Sequence, residues 1–121
     1  ARNEYKNTKT SSLGSKSENF EAVSVALGQL LNSMQGLREA NSIEQKDAFF
    51  EKSLTSIYFL QKCLDFEAGG ELAKNLFRVY EFTRQAVLDF VLREKGSENM
   101  DKSIEYVTLI QEGWNGIEDS L

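Results

Sequence analysis

Not one of the 121 residues is a proline. Proline fixes φ and lacks the amide proton that a helix interior needs. Without it long helices run unopposed, and the turns between them fall to Gly, Asn and Ser. Four segments carry the 3.6-residue apolar period, at roughly 17–40, 43–65, 70–95 and 98–119. Ser42 with Gln45 has the spacing of a capping box before the second segment, and so has Ser15 with Glu18 before the first. Gly69-Gly70 and Gly96-Ser97 supply the permissive backbone that separates the others. Connections this short make neighbouring helices antiparallel. The fold class is therefore all-α, an antiparallel up-down four-helix bundle. Residues 1–16 are polar and without period, which predicts a flexible N-terminal arm ahead of a bundle domain over 17–121.

Composition narrows what such a bundle does. A formal net charge of −5 offers phosphate backbones no attractive field, so nucleic acid is not an expected partner. No apolar run approaches the ~20 residues that span a bilayer, and no signal-peptide core is visible within these residues. Membrane insertion is not expected. One cysteine builds no intramolecular disulfide framework, which suits a reducing cytoplasm. There is no histidine, so the commonest general base near neutral pH is missing and no enzyme is expected. Cys63 reads as a small hydrophobe rather than a nucleophile. Asp65, Glu67 and Glu71 lack both a histidine and the EF-hand spacing, and charge at a helix junction explains them. No metal or cofactor is expected.

The apolar faces differ. The first segment carries one stripe, from Phe20 through Leu27, Leu30 and Met34 to Leu37; the fourth carries another, from Met100 through Val107, Ile110, Trp114 and Ile117 to Leu121. The middle two carry a surplus. On the third, Leu72, Leu76, Val79, Thr83, Val87 and Phe90 form the expected inward stripe. Ala73, Tyr80 and Val91 lie about 100° round from its start, with Phe77 and Leu88 further still and Phe82 on the other shoulder. On the second, Ile43, Phe50, Leu54, Ile57, Tyr58 and Leu64 read as inward, with Ala48, Phe59 and Cys63 nearly opposite. Either these helices are central or they expose an apolar groove for a partner.

The run from Leu64 to Tyr80, L-D-F-E-A-G-G-E-L-A-K-N-L-F-R-V-Y, resembles the signature of the flagellar secretion chaperone family FliS. Tyr5-Lys6-Asn7-Thr8 is similar to the Y-x-N-T element with which that family begins. The S-P-x-x-L and L-Y-D-G elements of many members are absent; Ser15–Phe20 and Val25–Gly28 stand there instead. The resemblance implies a bundle in the bacterial cytoplasm that binds the disordered C-terminal segment of flagellin. Binding there blocks premature polymerisation and assists flagellar type III secretion. It places Tyr5, Asn7 and Thr8 in the arm and Asn75, Leu76, Val79 and Tyr80 in the signature helix. With Phe59, Phe77 and Leu88 from the apolar surplus, these are the candidate partner-binding residues. The alternative is a helical-bundle adaptor or regulator that binds another flagellar export or regulatory protein instead of flagellin.

Overall fold

The computed structural model describes the backbone of residues 2–120 and the side chains of residues 19–117. Four helices follow one another, α1 (Arg2–Glu39), α2 (Ile43–Lys62), α3 (Phe66–Leu92) and α4 (Ser97–Ser120). Each packs on its neighbour in sequence, and α1 closes the ring on α4. That is the up-down bundle the spacing predicts. Helical backbone in α1 begins ahead of the expected start near residue 17. The side chains of the segment read as an arm, Tyr5, Asn7 and Thr8 among them, lie outside the described residues.

The α1–α2 connection is built as its sequence requires. Ser42 is the N-cap, its hydroxyl accepting from the Gln45 amide at 3.1 Å. Gln45 Oε1 reaches back to accept from the Asn41 amide at 2.9 Å. Two amides that no helical carbonyl serves are thus satisfied. Just before this turn, α1 and α2 come close together at Gly36. A Cβ there would stand 2.7 Å from the Phe49 ring, so only glycine seats that ring.

The α2–α3 junction differs from the sequence reading. α2 ends at Lys62 with Cys63 as C-cap, and Asp65 then caps a new helix. Its carboxylate accepts from the amides of Glu67 and Ala68, each at 3.0 Å. A single turn follows before Gly70, at φ 51° and ψ −126°, breaks the helical path. The reversal therefore spreads from Cys63 to Gly70 instead of sitting on the glycine pair. The acceptor on Asp65 explains this: it opens a helix five residues before the second glycine. At the other junction Gly96 takes φ 82° and α4 begins at once with Ser97, as expected.

The core is led by α1, where Leu27, Leu30, Met34 and Leu37 are buried. Ile57 and Leu60 of α2, Tyr80 and Val87 of α3, and Met100 and Val107 of α4 meet them. Four residues read as facing the core are exposed: Ile43 by 74%, Tyr58 by 68%, Leu72 by 66% and, on the stripe of α4, Ile117 by 48%. Ile43 opens α2 and Leu72 stands two residues past the Gly70 break. Tyr58 sits 100° round from buried Ile57, on the side away from buried Ser53, Ser56 and Leu60. In exchange Ala73 and Tyr80, read as shoulder residues of α3, belong to its buried face.

Candidate partner-binding groove

Among the described residues a row of three openings lies along α1 and α2. The middle one, of about 500 Å³, is floored by Ala22 and Ala26 and flanked by Val25 and Phe59. Gln29 crosses its base, donating from Nε2 to Ser56 Oγ at 3.0 Å, which ties the two helices beneath the opening. Val25 is 67% exposed although it stands two residues from Leu27, which is wholly buried. Small residues cause the hollow: two alanine methyl groups leave space that larger side chains would occupy.

Phe59 also borders a second hollow, of about 610 Å³, at the end of the bundle. Phe20 and Trp114 form its wall, their rings stacked at 4.6 Å and 13°. Trp114 Nε1 donates to the Phe20 carbonyl at 3.1 Å, fixing α4 against α1. Cys63 opens onto this hollow. Partial burial pushes its thiol upward, and Lys62 pulls the other way. Thiolate is the nucleophilic form, so this environment gives Cys63 no activation. The neighbouring Tyr80 phenol is pushed up to about 12, chiefly by burial and further by Cys63.

The sequence-derived candidates separate into distinct places. Phe59, 36% exposed, lies on the α1–α2 hollows. Phe77 sits around the α3 surface, 37% exposed, and covers itself edge-on against Phe66 at 5.9 Å. Asn75 is exposed and accepts from Arg78 Nη1 at 2.8 Å. Leu76 packs against the core, Val79 and Leu88 are half-buried, and Tyr80 is buried. Periodicity does not single out Ala22 and Gln29, because small and polar positions carry little apolar signal, nor Val25, which lies off the inward stripe of α1.

Near Phe59 the α2–α3 seam is polar. Gln61 Nε2 donates to Glu81 Oε2 at 2.9 Å, and Arg84 Nε reaches the same oxygen at 2.7 Å. These two hydrogen bonds hold the Glu81 carboxyl below the usual carboxylate range. Among the described residues no cluster of His, Cys, Asp and Glu could hold a metal ion. Nor is any described helix long and apolar enough to cross a membrane.

The described residues form an antiparallel four-helix bundle with open apolar hollows between α1 and α2. The chain belongs to the flagellar protein FliS family, which it matches over residues 1–121. It is similar to the flagellar secretion chaperone FliSB of Pseudomonas aeruginosa, 30% identical over 69% of this chain and 65% of that one. It is also similar to the flagellar secretion chaperone FliS of Vibrio cholerae, at 28% identity over 76% of this chain and 66% of that one. The matched stretch is thus just under two thirds of either relative's length. No solved structure matches.

Proposed function

We propose that this chain is a flagellar export chaperone, not an enzyme, that binds the disordered C-terminal segment of a flagellin. Bound there, it blocks premature polymerisation in the bacterial cytoplasm and keeps the subunit ready for type III secretion. Membership in the FliS family supports the class, and both relatives carry the name flagellar secretion chaperone. The structural observation that carries the reading is the open apolar hollow beside Val25 and Phe59. A disordered chain that folds on binding gains its affinity by burying apolar anchors in such a surface.

Calorimetry with the C-terminal flagellin segment of the same organism tests it. The expected result is saturable binding with a strongly negative heat-capacity change and new helical signal in the segment. Absence of heat at about tens of micromolar, the range of a weak complex, counts against flagellin as the client. The same titration against other flagellar proteins then asks whether the chain is an adaptor for one of them.

A further inference from the structure

We draw no further inference here: the strongest candidate, the hollow of about 390 Å³ at the Ser42 and Gly96 end of the bundle where Arg38, Lys46 and Lys95 converge, carries none, because these cations are exposed, Arg38 already pairs with Asp101, Glu94 lines the same opening, and nothing in the structure shows what anion would occupy it.

Discussion

The α1–α2 hollows and the α3 segment after Gly70 carry apolar surface of opposite kinds. In α3 the side chains are large and mostly engaged. Tyr80 is buried, Phe77 meets Phe66, and Phe82 lies 5.9 Å from Tyr106 of α4. Along the α1–α2 hollows small residues, Ala22, Ala26 and Gly28, lie between larger ones such as Phe59 and Phe20, and Val25 stands open. Hydrophobic content is highest where the chain covers its own surface. Concavity is greatest where it does not, because a receptive hollow depends on what the floor residues lack as much as on what the rim displays.

The largest expected effect tests whether the hollow beside Val25 is unfilled. Leu27 and Val25 stand on the same helix, one fully buried and the other 67% exposed. Leu27→Ala should cost about 2–5 kcal/mol, because its cavity stays partly empty. Val25→Ala should stay within about 0.5 kcal/mol, as for a surface site without partners. Urea unfolding of the two variants measures both. A large loss at Val25 would mean that the hollow is packed after all.

A smaller effect is expected at the break in α3. Gly70 holds φ 51° and ψ −126°, a conformation that side chains resist. A Cβ there meets nothing within 4 Å, so the penalty is purely one of backbone. Gly70→Ala should cost about 1–3 kcal/mol. Gly113 lies within α4, where an added Cβ also meets open space. Gly113→Ala should stabilise by about 0.5–1 kcal/mol through the lower entropy of its unfolded state. Opposite signs in thermal unfolding separate a glycine that shapes the chain from one that does not.

How legible this molecule is in its sequence follows from the same contrast. The helix count, the Ser42 cap and the Gly96 turn are local events, and local chemistry predicts them. At the α2–α3 junction the sequence points to the glycine pair, but Asp65 at capping spacing competes with it and its carboxylate sets the helix start. The orientation of α3 depends on where α2 and α4 lie, so neither buried Tyr80 nor exposed Leu72 follows from period alone. Phe59 stands out in the sequence because it is large and apolar on the side of α2 away from its inward stripe. The alanines that make room beside it gave no signal.

Asp65 sharpens the comparison at the entrance to α3. Its carboxylate accepts from two amides of the first turn. Asp65→Ala should cost about 1 kcal/mol, within the usual range for a lost N-cap. Asp65→Ser should restore most of it, since a hydroxyl also accepts there. Hydrogen exchange should accelerate most at Glu67 and Ala68, and should leave the amides around Ala22 and Val25 unchanged. Acceleration at the hollow would show that the two regions are energetically coupled.

The smallest expected effect comes from Glu81, where the polar seam of α2 and α3 meets solvent. Its carboxyl is held low first by the Arg84 hydrogen bond, then by Gln61, with the Arg84 charge adding to them. A carboxylate whose folded pKa lies below its unfolded value binds fewer protons when folded. Its stabilisation is therefore present above the unfolded pKa and lost as pH falls through the folded one. The pair is substantially exposed, with side-chain exposures of 43% for Arg84 and 39% for Glu81, so solvent screens it. Its contribution should stay below about 1 kcal/mol. Arg84→Ala should raise the Glu81 pKa toward its ordinary value, read by carboxyl-detected titration, and flatten the acid limb of the stability profile slightly. Gln61→Ala should do the same to a lesser degree, because a neutral amide favours the carboxylate less than a guanidinium does. If both variants keep the wild-type titration, the seam is a solvated surface and α2 is held to α3 by apolar contact alone.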